Sequence, residues 1–355
     1  MIVHSKFKDY EVHLEEDFTF FNAIKQTENA QFVIDRKVYE LYKDLFSDID
    51  AEKLLLIDAT EENKVIESAL AICEKITNIS AKRNSVLISV GGGIIQDITG
   101  FVANIMYRGI KWIFIPTTLL ASCDSCIGGK TSLNYKKYKN LLGTFYPPDD
   151  IFICPQFFMT LTERDFKSGL GEVLKFNLMA GNDGLMRISK QIDALLHREF
   201  LTMNEAVQNS LSYKKVFIEK DEFDKGERIK LNFAHTFGHA IETVTNYQIP
   251  HGTAVAIGMI MADSISVCRG LLDKQYASEA ERLLLKVIDV SKDIVHFDKK
   301  LFLDAISKDK KQIGKSLSAV LLVNSAEGKD LIIAHDMKIE EVHYALDYFY
   351  NLYES

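Results

Sequence analysis

The sequence has few prolines, and no internal repeat or low-complexity tract is apparent in it. Its 5 prolines are scattered along 355 residues and are not gathered into a linker. This pattern argues against a repeat array and against a proline-rich connecting segment. Because 47% of the residues are hydrophobic, the chain can bury a large core. At about 150 residues per domain, its length favours two domains.

Cysteine is also scarce. The 5 cysteines are an odd number in a long chain, which indicates reduced thiols and no disulfide framework. Cys123 and Cys126 form a Cys-x-x-Cys pair, but there is no second pair to complete a structural zinc site. A redox or metal role for this pair is therefore the less favoured alternative.

The chain lacks both an excess of positive charge and long apolar runs. Its formal net charge is -8 and its isoelectric point is about 5.7. These values argue against a surface that binds nucleic acid or anionic lipid, so neither nucleic acid nor a membrane is expected as a partner. No run approaches the ~18 apolar residues of a membrane span, and the first residues lack the apolar segment of a secretion signal. We expect a cytoplasmic protein that binds anions in a local cationic pocket.

The first half of the chain alternates strand-like and helical patterns. The segments QFVID, KLLLIDA, SVLISV and KWIFIP are strand-like, and stretches such as ENKVIESALAICEKI have helical spacing. This alternation predicts a parallel sheet flanked by helices. After PPDDIFICP, helical periodicity dominates. The sequence thus predicts a Rossmann-like α/β domain over residues 1–150 and a mainly α-helical domain over residues 151–355, with a ligand cleft between them.

A glycine triplet follows one of the predicted strands. Gly91, Gly92 and Gly93 come after SVLISV and before a run with helical spacing. Glycines at a strand-to-helix turn let the backbone approach a pyrophosphate, and the helix N-terminus supplies N–H groups. The run is not the usual G-x-G-x-x-G, and a simple tight turn would also explain it. The Asp97 carboxylate either interacts favourably with the dipole at the start of this helix or contacts a ribose.

A basic segment follows the predicted strand KWIFIP. Four lysines lie between residues 130 and 139, with no acidic residue among them. A solvated basic loop is one interpretation of this segment. However, Gly128, Gly129, Lys130 and Thr131 have the composition of a loop that cradles an anion. In an acidic protein this concentration of lysine favours an anionic substrate.

Three histidines lie in the segment LNFAHTFGHAIETVTNYQIPHG. His235 and His239 are four residues apart in a predicted helix and therefore share a face, and His251 follows the end of that helix at Pro250. Catalytic zinc typically has three nitrogen or carboxylate ligands. Histidine pairs at this spacing also occur on ordinary helix surfaces. A carboxylate from elsewhere would have to complete a metal site, and periodicity does not identify it.

Several ordered blocks together resemble the 3-dehydroquinate synthases, within the wider sugar phosphate cyclase family. They lie roughly between residues 90 and 260, with weaker likeness toward both ends. The blocks are GGGIIQDITGFVANIMYRG, IPTTLLASCDSCIGGKTSLN, KNLLGTFYPP, GLGEVLKFNLM, KDEFDKGERIKLNFAHTFGHAIE and PHGTAVAIGM.

The resemblance implies a metal site and a catalytic set. Glu172, in GEVLK, should join His235 and His251 as a ligand of zinc or cobalt. The resemblance assigns His239 to acid/base chemistry instead of ligation. The catalytic residues that it implies are His239, Asp224, Lys175 and Lys130.

The resemblance also implies two binding sets. The substrate should bear phosphate and carboxylate, which suits a set rich in lysine and arginine. The substrate residues should be Arg108, Asp124, Lys130, Asn140, Lys175, Lys214, Arg228, Asn232, His251 and Lys310. The NAD residues should be Asp35, Glu61, Lys64, Gly92, Gly93, Asp97, Thr117, Thr118 and Lys139.

The family's reaction belongs to the shikimate pathway and to aromatic amino acid biosynthesis. Its substrate is 3-deoxy-D-arabino-heptulosonate 7-phosphate, and its products are 3-dehydroquinate and phosphate. The resemblance implies transient NAD-dependent oxidation, phosphate elimination, reduction and an intramolecular aldol closure. A homodimer is the state expected from the family.

The sequence departs from the family pattern at several positions. Gln96 stands where glycine is usual, and Tyr135 and Lys136 stand where histidine and proline are common. Ala234 replaces the glycine before the first metal histidine, and Asp224 replaces a glutamate. None of these changes removes a metal ligand or a substrate cation that the resemblance implies.

These departures keep alternative functions open. Another sugar phosphate cyclase would make a modified or amino cyclitol precursor, but the presence of Lys214, Arg228 and Asn232 favours dehydroquinate formation. A metal-dependent polyol dehydrogenase would have no obvious use for so many cations. A catalytically silent NAD-binding regulator would be expected to lack Glu172 or His251, and both are present.

Overall fold

A seven-stranded sheet forms the core of the first of two units in the computed structural model, which describes residues 1–78, 83–136, 138–307 and 317–354. This unit comprises Met1–Leu161 and Ile218–Phe223. The sheet contains β1 (Ile2–Val3), β2 (Tyr10–Leu14), β3 (Ala30–Asp35), β4 (Leu54–Ile57), β5 (Val86–Gly91), β6 (Lys111–Pro116) and β9 (Asp150–Ile153). Their order is β1-β2-β9-β6-β5-β3-β4, and all neighbours are parallel except β1 and β2.

Buried apolar runs explain why these segments form central strands. Five of the six residues of β5 are buried, as expected for a parallel strand covered on both faces. Strands β5 and β6 are paired from Val86 opposite Lys111 to Gly91 opposite Pro116. Their carboxyl ends therefore lie side by side, at the edge where open α/β sheets bind ligands. The α-helices of this unit are α1 (Phe21–Lys25), α2 (Arg36–Leu41), α3 (Lys43–Phe46), α4 (Ile66–Asn78) and α5 (Gly93–Ile105).

The basic segment is a β-hairpin and not a loop. Strands β7 (Lys130–Tyr135) and β8 (Tyr138–Phe145) are antiparallel, with Lys130 opposite Phe145. Thr131 and Leu133 are buried in β7, whereas Lys130 is exposed. This alternation of buried and exposed residues has the two-residue period of a strand. The number of lysines in the segment did not reveal this period.

Helices dominate the second unit, which comprises Thr162–Phe217 and the chain from Asp224 onward. A two-stranded antiparallel sheet, β10 (Leu317–Ser325) with β11 (Gly328–Met337), was not anticipated by the sequence patterns. The helices are α6 (Glu163–Met179), α7 (Gly181–Leu196), α8 (Phe200–Lys220), α9 (His235–Val244), α10 (His251–Cys268), α11 (Lys274–Leu285), α12 (Lys292–Val295), α13 (Lys299–Ser307) and α14 (Ile339–Glu354).

Helix α10 is the core helix of this second unit. It is long and apolar enough to satisfy a length and hydropathy test for a membrane span, but 83% of that window is buried inside the folded chain. An all-round apolar helix is expected at the centre of a packed domain. Helix α10 contacts α6, α9, α11 and α14, and its first residue is His251.

Candidate metal centre and dinucleotide site

Three possible metal ligands lie close together in the second unit, each on a different helix. They are Glu172, His235 and His251. The Glu172 side chain is fully buried in α6, and its Oε1 lies 3.3 Å from His251 Nε2 and 3.6 Å from His235 Nε2. One ligand atom from each of the three residues lies within 4.8 Å of the others. Two imidazole nitrogens and one carboxylate oxygen are the donor set of several catalytic zinc sites. The structure therefore brings together the three residues that the resemblance implies as ligands.

Close packing of α6 on the start of α10 places Glu172 beside His251. Gly252 N donates to Ser168 Oγ at 3.0 Å, and a Cβ on Gly252 would lie 1.8 Å from the Ser168 carbonyl oxygen. A Cβ on Gly171 would lie 2.1 Å from the Gly252 carbonyl oxygen. A side chain at either position would push the two helices apart. Glycine at both positions is therefore needed for this arrangement of the three ligands.

Ala234 turns the chain into α9 and so determines where His235 points. It is the N-cap residue of α9 and has φ 67°, a left-handed conformation. Its carbonyl oxygen lies against α10, where a Cβ on Gly258 would approach it to 2.5 Å. The left-handed conformation costs a non-glycine residue about 1–2 kcal/mol. This strain gives a physical reason for the glycine that the family usually has at this position.

Each histidine ligand is oriented by a contact of its other nitrogen. His235 Nδ1 lies 2.9 Å from the Phe233 carbonyl oxygen, and His251 Nδ1 lies 3.0 Å from Glu242 Oε2. With the proton on Nδ1, each ring directs its Nε2 lone pair toward Glu172, as metal ligation requires. Burial lowers the pKa of His251, but the charge of Glu242 and hydrogen bonds with Glu172 and Glu242 outweigh burial and raise it to about 10. A metal that binds here must displace that proton.

Glu242 is a site residue that the sequence reasoning missed. It follows His235 by seven residues and His239 by three, so the three residues share one face of α9. This spacing is the signal that could have identified it. Glu242, His239 and His251 also form a second group of ligand-type atoms within 4.8 Å of one another. Glu242 contacts His251 Nδ1, the ring nitrogen that faces away from Glu172. A carboxylate in this place orients a metal-ligating histidine.

His239 and Lys175 lie beside the three ligands. The His239 ring centroid is 5.4 Å from that of His235 and 5.8 Å from that of His251, and the residue is partly exposed. The Lys175 ammonium is paired with Glu172 Oε2 and lies 4.4 Å from the Phe176 ring centroid. Lys175 is only 1% exposed. A buried carboxylate needs such a cationic partner, and a metal ion would compete with Lys175 for it.

The remaining polar residues expected in this unit lie on separate elements. Lys214 on α8 is 7% exposed, and Arg228 is 4% exposed. Asn232 Nδ2 donates to the Ile229 carbonyl oxygen at 3.0 Å. Asp224 has φ 58°, which aspartate tolerates better than most residues. Lys310 lies outside the described residues.

In the first unit, the glycine triplet forms the turn between β5 and α5. Gly91 ends β5, Gly92 is the N-cap residue of α5, and α5 begins at Gly93. A Cβ on Gly92 would lie 3.1 Å from Thr118 Cγ2, and Thr117 N donates to the Gly91 carbonyl oxygen at 3.0 Å. The two threonines therefore border the turn. A glycine turn at the N-terminus of a helix, beside the end of a parallel strand, suits a pyrophosphate.

A polar network around the buried Lys64 extends from α5 to the hairpin. Asp97 on α5 forms an ion pair with Lys64, whose Nζ also donates to Asn140 Oδ1 at 2.7 Å. Ser132 N donates to Asp97 Oδ1 at 2.9 Å. Burial raises the pKa of Asp97, and the charge of Lys64 opposes that rise. Three of the residues expected to bind ligand, Lys64, Asp97 and Asn140, thus contact one another.

Asn134 connects this network to Glu61, although no sequence pattern pointed to this residue. Its backbone N donates to the Lys64 carbonyl oxygen at 2.7 Å, and its Nδ2 donates to Glu61 Oε2 at 2.8 Å and to the Glu61 carbonyl oxygen at 3.1 Å. Its Oδ1 accepts from Asn140 N at 3.0 Å. Lys139 Nζ lies 3.5 Å from Glu61 Oε2. Asn134 is therefore one of the residues that join two segments far apart in the chain.

Other residues expected to bind NAD or substrate lie at element ends in the first unit. Asp35 ends β3 and caps α2 by accepting from Lys37 N at 3.0 Å, and burial raises its pKa. Arg108 is exposed after α5, with φ 65°. Asp124 is partly exposed in a short π-helix at Ala121–Ser125, and Lys130 is exposed at the start of β7.

The departure at Lys136 has a backbone explanation. Lys136 has φ 53° and lies in the turn after β7. A proline cannot adopt this angle, because its ring holds φ near -65°. The hairpin turn of this chain therefore requires a residue other than the proline common in the family.

Comparison with known proteins gives consistent matches over most of the chain. Residues 54–168 match the family described as 3-dehydroquinate synthase N-terminal, and residues 169–312 match 3-dehydroquinate synthase C-terminal. A 3-dehydroquinate synthase from Clostridium tetani is 38% identical over 314 residues, which are 86% of this chain and 84% of the relative.

Two solved structures share the fold over nearly the full length. The 2-epi-5-epi-valiolone synthase ValA from Streptomyces hygroscopicus subsp. jinggangensis, solved with NAD+ and Zn2+ bound, has a TM-score of 0.84 at 24% identity and covers 99% of both chains. A 2-deoxy-scyllo-inosose synthase, complexed with carbaglucose-6-phosphate, NAD+ and Co2+, has a TM-score of 0.83 at 22% identity and covers 98% of both chains. At these identities the two structures establish the fold alone.

Proposed function

The chain belongs to the 3-dehydroquinate synthase family, and we propose that it converts 3-deoxy-D-arabino-heptulosonate 7-phosphate to 3-dehydroquinate and phosphate. The observation that carries this proposal is the meeting of Glu172, His235 and His251 in a chain of this family. The dinucleotide-type turn at Gly92 supports it independently.

The proposed cofactors are NAD and one divalent ion, zinc or cobalt. The donor set of two histidines and one glutamate fits either metal. The turn at Gly92 and Gly93, bordered by Thr117 and Thr118, fits the pyrophosphate of a dinucleotide. When bound, NAD supplies reversible hydride acceptance, and the metal supplies Lewis-acid polarisation of substrate oxygens.

The proposed reaction explains why the protein must hold its substrate firmly. Oxidation of the substrate C4 hydroxyl to a ketone acidifies the neighbouring C–H, so phosphate can be eliminated. The ketone is then reduced, the ring opens, and an intramolecular aldol reaction closes the carbocycle. Ring opening and aldol closure are internal rearrangements of one bound molecule. The largest contribution of the protein is therefore to select one conformer and to exclude side reactions.

The chain's own residues have distinct roles in this proposal. His239, partly exposed beside the two histidine ligands, accepts the proton that leaves the substrate hydroxyl. Lys175 and Lys130 provide positive charge for substrate oxygens, and Asp224 takes part in proton transfer. The other residues proposed to bind the substrate are Lys214, Arg228, Asn232, Lys310, Arg108, Asp124 and Asn140.

The organisation of the protein is proposed on the same basis. Residues 1–150 act as the NAD-binding domain and residues 151–355 as the metal- and substrate-binding domain. We propose a homodimer in the cytoplasm, with a small anionic sugar phosphate as its partner. Sedimentation of the purified protein would test the dimer.

A second candidate is a cyclase that acts on another sugar phosphate. The observation that favours it is the set of departures at Gln96, Tyr135 and Lys136, which lie next to the dinucleotide turn and in the hairpin. The two structural neighbours carry names of such cyclases. Lys214, Arg228 and Asn232, which the resemblance assigns to the carboxylated substrate, favour the first proposal.

One incubation separates these functions. Metal-loaded protein is mixed with NAD and the heptulosonate phosphate, and phosphate release, absorbance of NADH and product identity are followed together. Phosphate and 3-dehydroquinate without net NADH are the expected result. Net NADH would indicate a dehydrogenase, and absence of phosphate would direct the search to other sugar phosphates. A Glu172→Gln variant should be inactive, whereas Glu163→Gln, an exposed change on the same helix, should retain activity.

A further inference from the structure

Gln96 links the helix after the dinucleotide turn to the segment that carries Asp124. It lies on α5 and is only 3% exposed. Its Nε2 donates to the Ser125 carbonyl oxygen at 2.7 Å, and its Oε1 accepts from Ser125 Oγ at 2.6 Å. One amide therefore satisfies both a backbone acceptor and a side-chain donor of the same residue.

The two hydrogen bonds between Gln96 and Ser125 require an amide at this buried position. An apolar side chain of similar size, such as methionine, would fill the same volume without either hydrogen bond. Glycine, the usual residue of the family at this position, would make neither contact. A buried amide is costly unless it is hydrogen-bonded, and here its oxygen accepts one hydrogen bond and its nitrogen donates one. The two hydrogen bonds therefore explain why glutamine is stable in this position.

Ser125 lies next to the dinucleotide turn as well as next to Asp124. A Cβ built on Gly93 would lie 3.7 Å from Ser125 Oγ. The Ala121–Ser125 segment is a single π-helical turn, closed by Cys126 N donating to the Ala121 carbonyl oxygen at 3.0 Å. Such turns are rare and frequently lie at functional sites.

The π-helical turn is held at both of its ends. At its start, Ala121 N donates to Thr118 Oγ1 at 3.2 Å, and Ser122 N donates to the Thr118 carbonyl oxygen at 3.0 Å. At its end, Ser125 is held by Gln96. Thr118 and Gln96 both border the dinucleotide turn, so the position of Asp124 depends on both anchors.

We propose that Gln96 is a positioning residue, which fixes Ser125 and hence Asp124 relative to the turn at Gly92 and Gly93. Its action on the reaction is indirect and passes through Asp124. The proposal rests on the proposed function for the role of Asp124. It also predicts an effect on NAD binding that is independent of turnover.

The test is a double-mutant cycle between Gln96 and Asp124. Gln96→Met, Asp124→Asn and the double variant are compared for kcat, KM and, by calorimetry, the Kd for NAD. Because two hydrogen bonds are lost, Gln96→Met should lower kcat/KM and weaken NAD binding by about tenfold. At saturating NAD, kcat/KM of the double variant should equal that of Asp124→Asn within about twofold, because Gln96 acts on the substrate through Asp124.

A control on the same helix separates positioning from packing. Thr99 is fully buried on α5, and Thr99→Val removes a buried hydroxyl at nearly constant volume. This variant should leave the Kd for NAD and kcat/KM unchanged. Multiplicative effects of Gln96→Met and Asp124→Asn would overturn the proposal. A lower melting temperature of Gln96→Met with unchanged kinetics and NAD binding would overturn it as well.

Failure of the proposed function can be told apart from failure of this inference. If the wild-type protein does not turn over the heptulosonate phosphate, the proposed function fails. In that case the Kd for NAD still decides the role of Gln96, because Gln96→Met should weaken NAD binding while Thr99→Val should not, and equal NAD affinity of Gln96→Met and wild type would overturn the inference.

Discussion

Glu242 Oε2 lies 3.0 Å from His251 Nδ1, while His251 Nε2 faces Glu172 Oε1 at 3.3 Å. The imidazole thus lies between two carboxylates, one of which is a proposed metal ligand. Carboxylates that contact the outer nitrogen of a ligating histidine fix its tautomer and increase its basicity. Glu242 is therefore expected to determine how strongly the centre holds its metal.

Replacing Glu242 with glutamine should weaken metal binding by about 10–100-fold. The amide still fits the space but loses the charge that favours a proton on His251 Nδ1. Competition with a coloured chelator measures the zinc affinity directly. Thr243→Val, an exposed change at the next residue, is the control and should bind zinc as the wild type does. Equal affinity of Glu242→Gln and wild type would contradict the role given to Glu242.

Replacing Gly252 with alanine should disrupt the metal centre by forcing α6 and α10 apart. The new Cβ would lie 1.8 Å from the Ser168 carbonyl oxygen, so α6 and α10 must move apart and carry Glu172 away from His251. We expect a loss of about 3 kcal/mol in the free energy of unfolding together with a large loss of zinc affinity. Denaturant titration and chelator competition measure the two effects.

Gly270→Ala is the matched control for that prediction. Gly270 follows α10 and has φ 68°, but a Cβ there would meet nothing within 4 Å. Its substitution should reduce stability through backbone strain and leave zinc affinity unchanged. A Gly252→Ala variant that keeps wild-type zinc affinity would show that the helix crossing does not position the ligands.

Asp263 should make the stability of the protein depend on pH. Its carboxyl group is buried, and among the described residues neither of its oxygens has a hydrogen-bond partner. Burial and the charge of Glu281 raise its pKa from 3.8 to about 8, against the opposing charge of Lys329. The folded state therefore keeps a proton that the unfolded state releases. The contribution to stability is complete below pH 3.8 and is lost as pH rises to about 8.

Asp263→Asn should remove that dependence. Between pH 4 and 8 the wild-type free energy of unfolding should contain a downward slope of about 1.4 kcal/mol per pH unit from this group. Urea titrations across this range should show the slope reduced by that amount in the variant. If the free energy of unfolding has the same pH dependence in wild type and in Asp263→Asn, Asp263 is not neutral in the folded protein.

Asn134→Leu should weaken NAD binding by about tenfold, because it breaks the hydrogen bonds that hold Glu61 against the hairpin. Calorimetric titration with NAD measures this effect. Thr144→Val in the same hairpin removes a hydroxyl contact with Thr131 and should not affect NAD binding. Equal losses in both variants would indicate general loosening of the hairpin instead of a specific role for Asn134.

Local patterns were sufficient to predict the fold class. The alternation of strand and helix signals before residue 150 predicted the parallel sheet, and the helical spacing afterwards predicted the helical unit. Both the α/β plus helical fold class and the family resemblance are confirmed by the comparisons. The strand pair from Leu317 to Met337 was missed because its apolar runs lack a strict alternation, and such runs do not distinguish a buried strand from a helix.

Contacts between distant segments were not predictable from pattern. His235 and His239 follow from helical spacing, but Glu172 is on another helix and was identified through the resemblance alone. Asn134 contacts Glu61 from more than seventy residues away, and no local motif marks it. Gln96 was visible only as a departure, and its pairing with Ser125 required the structure.

The most direct test of the central claim is a turnover count per NAD. Metal-loaded protein with one bound NAD, freed of excess dinucleotide, is incubated with a large excess of the heptulosonate phosphate. The account predicts that 3-dehydroquinate and phosphate form in equal amounts, far in excess of NAD, while no NADH accumulates. Product limited to the amount of NAD, with equimolar NADH, would contradict a reaction in which each oxidation is reversed within the same turnover.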